Sequence, residues 1–154
     1  MKSENGYENT TIITKTPDLP VIDITADYIT IEGFTVYGAT ESAGINLALN
    51  AAHCIISKNR CGIDSDHSNE TGILVGLYSF WGFGHVYDNI VSQNICIGND
   101  TGISLEFSKY NTVTGNQCLS NNTGIYIKGE DDGGVFLTIP SQINTVSFNT
   151  CSQK

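Results

Sequence analysis

The chain has 154 residues, a net charge of −9 and only 15% charged side chains. That sign repels phosphate backbones and anionic lipid heads, which argues against nucleic acid as a partner. No apolar run reaches the roughly 20 residues of a membrane span, so membrane insertion is not expected either. Length suits one domain, and Asn, Thr, Ser and Gly carry the polar surface, as in turn-rich β proteins.

Residues 1–20 read as an N-terminal segment or a partial first coil, and residues 21–154 as a run of repeats. The opening Met1-Lys2-Ser3-Glu4-Asn5-Gly6 lacks the apolar stretch of a signal peptide, so the sequence is expected to be a segment of a longer exported solenoid. Thr11-Ile12-Ile13-Thr14 and Val21-Ile22-Asp23-Ile24 read as strands, with Pro17 and Pro20 in the turn between them.

Five nine-residue segments then align without gaps: 28–36, 53–61, 88–96, 110–118 and 143–151. Four are joined to a second block, Ala43-Gly44-Ile45, Thr71-Gly72-Ile73, Thr101-Gly102-Ile103 and Thr123-Gly124-Ile125. Alternation within each block has period two, the signature of a half-buried strand. It points Ile31, Ile56, Val91, Val113 and Val146 inward on one wall. On another wall it does the same for Ile45, Ile73, Ile103 and Ile125, followed by Leu47, Val75, Leu105 and Ile127. Coils that cannot bury these residues alone form one apolar column when stacked. The shortest interval, 22 residues from Val91 to Val113, accommodates three short strands and three turns. Intervals of 25, 35 and 33 elsewhere imply insertions that leave the stack as loops. The expected fold is all-β, a right-handed parallel β-helix of about five coils.

The stretch from Val21 to Val36, the Asn-x-Val-x-x-Asn-x-Cys segments and the Asn-x-Thr-Gly-Ile blocks resemble the NosD-like parallel β-helix repeat family. The resemblance covers nearly the whole chain from Val21. It implies the solenoid fold and, for function, admits surface modules, polysaccharide-active enzymes and copper-site maturation proteins alike.

Asn59, Asn94, Asn116 and Asn149 share one repeat position, and Phe34 breaks the series. They are expected to form an asparagine ladder, with Asn tolerating the left-handed backbone of a tight turn and the stacked amides bonding from coil to coil. Cys61, Cys96, Cys118 and Cys151 share a position two residues later, and Cys54 lies on the inward phase of the first strand. They read as small hydrophobes in a core corner, with a thiolate column for copper as the alternative. Asn9, Asn69, Asn99 and Asn121 head Asn-x-Thr sequons that would accept glycans in a secreted protein.

Chemistry is expected in the insertions, because packing occupies the coils. One follows Ile73 and carries Tyr78, Phe80, Trp81, Phe83 and Tyr87 among glycines, a stacking platform for a glycan or a protein surface. Another follows Ile125 and carries Glu130, Asp131 and Asp132, the candidate acids of a polysaccharide-processing site. A third holds Asp64, Asp66 and His67, whose oxygen and imidazole donors suit Ca²⁺ or a transition metal such as copper. His53 and His85 read as surface or turn residues. Glu32 is the sole carboxylate on the outward positions of the first strands, whereas a glycosidase needs several. The leading reading is a non-enzymatic extracellular, cell-surface or periplasmic module that presents loops for carbohydrate or protein contact. Its last coil stops after two strands, leaving an end open to further coils or another chain.

Overall fold

The computed structural model describes residues 1–48, 50–76, 86–128 and 144–153. The first, incomplete coil contributes β1 (Thr11–Ile13) and β2 (Ile22–Ile24). The next is β3 (Thr30–Glu32), β4 (Thr35–Tyr37) and β5 (Ala43–Leu47), followed by β6 (Ile55–Ser57), β7 (Arg60–Cys61) and β8 (Thr71–Gly76). Then come β9 (Ile90–Ser92), β10 (Ile95–Ile97) and β11 (Thr101–Glu106), and β12 (Thr112–Thr114), β13 (Gln117–Asn121) and β14 (Thr123–Lys128). The last two are β15 (Thr145–Ser147) and β16 (Thr150–Gln153).

Strands one coil apart pair in parallel and build three walls, in the orders β3-β6-β9-β12-β15, β1-β4-β7-β10-β13-β16 and β2-β5-β8-β11-β14. This is the expected parallel β-helix. Register is strict on the first wall, where Ile31, Ile56, Val91, Val113 and Val146 pair in series. All but the last of these are buried, as are Ile45, Ile73, Ile103, Leu47, Val75 and Leu105 on the third wall. A one-residue slip in any coil would turn its apolar set outward, so the core itself enforces the register. Val146 and Ile127 depart from the expected burial, being 38% and 51% exposed. They sit in the last coils, where no described strand lies beyond them.

Three asparagine rows, rather than one, line the corners. Asn59, Asn94, Asn116 and Asn149 are linked by amide-to-amide bonds of 3.1, 3.0 and 2.9 Å, and Asn59 Oδ1 accepts from Phe34 N where the row ends. A second row joins Asn69, Asn99 and Asn121, and a third joins Asn89, Asn111 and Asn144. Each interior Asn oxygen also accepts the backbone N–H of the Asn one coil back, and its Nδ2 reaches a backbone carbonyl of that neighbouring coil. Buried turn backbone is thereby satisfied from coil to coil, at about 1 kcal/mol net per bond. Cys54 stands in for the missing Asn of the third row: its N–H donates to Asn89 Oδ1 and its thiol to the Ala26 carbonyl.

These rows correct two expectations. The left-handed backbone belongs to the residue before the Asn, at Lys58, Gln93, Gly115 and Phe148 in the first row, with φ between 54° and 65°. Asparagine is used for its amide. The Asn-x-Thr sequons at Asn69, Asn99 and Asn121 are no glycan acceptors in the folded chain, because these side chains are buried and bonded inside the second row. Of the four sequons, only Asn9 is exposed.

The Thr-Gly pairs open the strands β8, β11 and β14. A Cβ on Gly72 would meet Cys96 Sγ at 3.0 Å, one on Gly102 would meet Cys118 Sγ at 2.9 Å, and one on Gly124 would meet Cys151 Sγ at 2.7 Å. Such a Cβ on Gly72 or Gly102 would also lie 2.5 Å from the next coil's glycine carbonyl oxygen, so glycine on the third wall makes room for both that backbone and the cysteine row.

Candidate functional site

The residues that head the aligned segments form the most distinctive surface. Tyr28, His53, Asp88 and Tyr110 all adopt φ between 55° and 61° at the corner before the first wall. In that conformation the side chain projects outward, and parallel pairing stacks successive coils about 4.8 Å apart. Tyr28 and His53 lie face to face, 4.9 Å between centroids and 14° between planes. Tyr87 packs edge-on against His53 at 5.7 Å, and Lys109 Nζ sits 5.7 Å from the centre of the Tyr110 ring. Isolated bridges from Ala52 to Tyr87 and from Tyr87 to Lys109 hold the corner in register. Asp27 Oδ1 accepts Ala52 N at 3.0 Å.

Tyr28 remains 74% exposed and Tyr110 48%. Two residues further on, Ile55 and Ile90 pair in register on the outer face of the first wall and are 39% and 42% exposed. The corner and the wall together present aromatic faces beside an aliphatic strip, flanked by Thr30 and Thr112. Such a surface suits the apolar face of a ring that carries hydroxyls on its edge.

Of the aromatic residues expected to bind ligand, Tyr87 belongs to this corner. Tyr78, Phe80, Trp81 and Phe83 lie outside the described residues, as do His85 and the candidate acids Glu130, Asp131 and Asp132. Glu32 is held by Lys2 at 3.2 Å and Lys58 at 3.1 Å. Hydrogen bonds from Lys58 and Lys2 keep its carboxyl below the usual range, which suits an ion pair and not a proton donor.

The loop with Asp64, Asp66 and His67 is built around Asp64. Its Oδ1 accepts the N–H of Asp66 and of His67, each at 2.9 Å, and lies 2.9 Å from His67 Nδ1. The His67 ring packs edge-on against Tyr37 at 5.3 Å. Asp64 and its neighbours Ile63 and Ser65 face Ile97, Gly98 and Ser120 across a shallow cleft of about 380 Å³. One oxygen of Asp64 thus caps the loop's own amides.

The His67 hydrogen bond, with the two backbone donors, holds the Asp64 carboxyl below the ordinary value of 3.8. A depressed folded pKa contributes stability that is complete above the unfolded value and lost as pH falls through the folded one. The loop is therefore expected to hold at neutral pH and to loosen below about pH 4. Hydrogen exchange at the Asp66 and His67 amides should accelerate there relative to the intrinsic rate. Asp64→Asn should remove that pH dependence; an unchanged profile in the variant would refute it.

A family profile described as "Periplasmic copper-binding protein (NosD)" matches residues 3–138. The chain belongs to the NosD family. No curated protein and no solved structure matches it.

The described residues of this NosD-family chain do not fit a copper ion. No three His, Cys, Asp or Glu side chains gather among them into a group able to hold a metal. The cysteine row is its richest set of soft donors, with Cys61, Cys96, Cys118 and Cys151 paired in register. Metal binding requires thiolates. Contact with Cys96, then burial, pushes the Cys118 thiol far up. Cys96 is also raised well up: its contact with Cys118 works the other way, but Cys61 and burial outweigh it.

Proposed function

We propose that this chain is a periplasmic β-helix module that binds neutral oligosaccharides along the Tyr28–His53–Tyr110 corner. The exposed, parallel Tyr28–His53 stack carries the reading. The exposed Tyr28 ring, backed by His53, offers a stacking face to a sugar ring, and Ile55 and Ile90 extend the apolar strip beside it. The periplasmic setting rests on the family description. A net charge of −9 disfavours acidic polysaccharides and leaves neutral ones. Binding rather than cleavage suits the first wall, whose one outward carboxylate, Glu32, is tied to two lysines.

Calorimetric titration with neutral β-linked hexasaccharides tests the proposal. Tyr28→Ala is expected to weaken binding about fivefold, from loss of about 1 kcal/mol of stacking. Tyr126→Ala removes another exposed ring, on the third wall, and should leave affinity unchanged. Equal affinity in wild type and Tyr28→Ala, or no binding by the wild type, would reject it. Binding of a protein partner with the same variant sensitivity would keep the site and overturn the ligand class.

A further inference from the structure

We propose that the outer face of the first wall is an ice-binding plane, which holds the ordered water lattice at the surface of a growing crystal. Each strand of this wall turns outward the two residues that flank its inward one, and strict pairing sets them in two columns. The first column is Thr30, Ile55, Ile90, Thr112 and Thr145, every one β-branched. The second is Glu32, Ser57, Ser92, Thr114 and Ser147, all hydroxyl-bearing after Glu32. One column thus repeats a methyl group and the other a hydroxyl.

Steps along a column are about 4.8 Å, and the columns stand about 6.6 Å apart, two residues along a parallel strand. Oxygens on a prism face of ice repeat at similar intervals in two perpendicular directions. Four strand steps carry the match over about 19 Å.

Such a match needs a flat, stiff surface. Wide sheets twist unless side-chain ladders or stacking hold them flat. Here an amide row runs along each edge of the wall. Asn89, Asn111 and Asn144 stand just before its strands, and Asn59, Asn94, Asn116 and Asn149 just after them. Pairing along this wall has no bulge, whereas the second wall shifts register between Leu119 and Asn121. β-Branching stiffens the first column at χ1, so its side chains lose little freedom on contact.

The surface chemistry fits water rather than ions. Among the described residues, the hydroxyls of Ser57, Ser92 and Thr112 have no protein partner, and Thr114 Oγ1 lies 3.3 Å from Ser147 Oγ. Each free hydroxyl both donates and accepts, as a lattice water does. Exposed methyls beside them offer no bond, so the water over Ile55 and Ile90 bonds to itself in an ordered layer. The one carboxylate in the columns, Glu32, stands at an end strand and is paired with Lys2 and Lys58. Ice binding here requires no sugar contact at the neighbouring corner.

Thermal hysteresis and partition of the full chain into slowly grown ice test the proposal. The wild type should open a gap between melting and freezing points that widens with concentration, facet seed crystals and become enriched in the ice. Ser92→Tyr and Thr112→Tyr each put a ring through the plane and should lose most of the hysteresis. Tyrosine is a good strand former, so both should keep the wild-type melting temperature. Gln117→Tyr places the same ring on the outer face of the second wall, where Gln117 is exposed, and should retain full activity. Exclusion of the wild type from ice, with round and unshaped crystals, would overturn the proposal. So would full hysteresis in both wall variants, or an equal loss in Gln117→Tyr.

Discussion

Asn94→Ala is expected to destabilise the chain by about 4 kcal/mol, the sum of two buried backbone groups orphaned at roughly 1–3 kcal/mol each and two lost amide contacts. Asn94 is fully buried. Its Oδ1 accepts Asn59 N at 2.9 Å, and its Nδ2 donates to the Ile56 carbonyl at 2.9 Å and to Asn116 Oδ1 at 3.0 Å. Alanine fills none of these roles and is too small to exclude water cleanly. A loss of that size is a large share of the roughly 5–15 kcal/mol that a domain has in total. Denaturant midpoints should show it directly. Asn122→Ala is the matched control, since Asn122 is exposed and its side chain bonds to Asp100, also at the surface. Its cost should stay within about 0.5 kcal/mol. Comparable losses for the two variants would mean that the amide rows do not hold the coils together.

Gly62→Ala is expected to be nearly as damaging, at about 3 kcal/mol or more, because strain and collision add. Gly62 has φ +82°, and an added Cβ would lie 2.1 Å from the Ile97 carbonyl oxygen and 2.9 Å from Asn99 Oδ1. The first contact is with backbone and cannot be relieved by a rotamer change. The second falls on the amide row that links Asn69 to Asn99. Gly6 separates the two contributions: it has φ +74° and nothing within 4 Å of an added Cβ. Gly6→Ala should therefore show the backbone term alone, about 1 kcal/mol. Thermal or denaturant unfolding of the pair would show whether the excess at Gly62 exists.

The walls of the β-helix were legible because period-two alternation and gapless alignment act on the same residues. Ile56, Val91 and Val113 could be paired from the alignment alone, and the structure pairs them so. The asparagine positions and their amide bonds along the stack were legible too, but not which residue takes the left-handed backbone. A repeat of Asn at a turn fits either a left-handed backbone or a side-chain bond along the stack, and only coordinates show Lys58 and Gln93 taking the first role. The reason for glycine in the Thr-Gly pairs was not legible. It reflects the next coil's carbonyl oxygen at Gly72 and Gly102 and the Cys96, Cys118 and Cys151 side chains, close approaches that no local pattern reveals.

The aromatic corner had a signal in plain view. Tyr28, His53, Asp88 and Tyr110 head the aligned segments, yet their identities differ, so no shared role could be read from them. What unites them is conformation: the shared left-handed φ that throws each side chain outward in one file. At Asp64 the spacing to Asp66 and His67 that suggests a metal loop also lets one carboxylate oxygen cap both amides.

The most direct test of the functional account is amide chemical-shift mapping during titration with a neutral hexasaccharide. The account predicts saturable shifts concentrated at Tyr28, His53, Ile55, Ile90 and Tyr110, with the Asp64–His67 loop unmoved. Shifts centred on that loop, or none along the corner at saturating glycan, would contradict it.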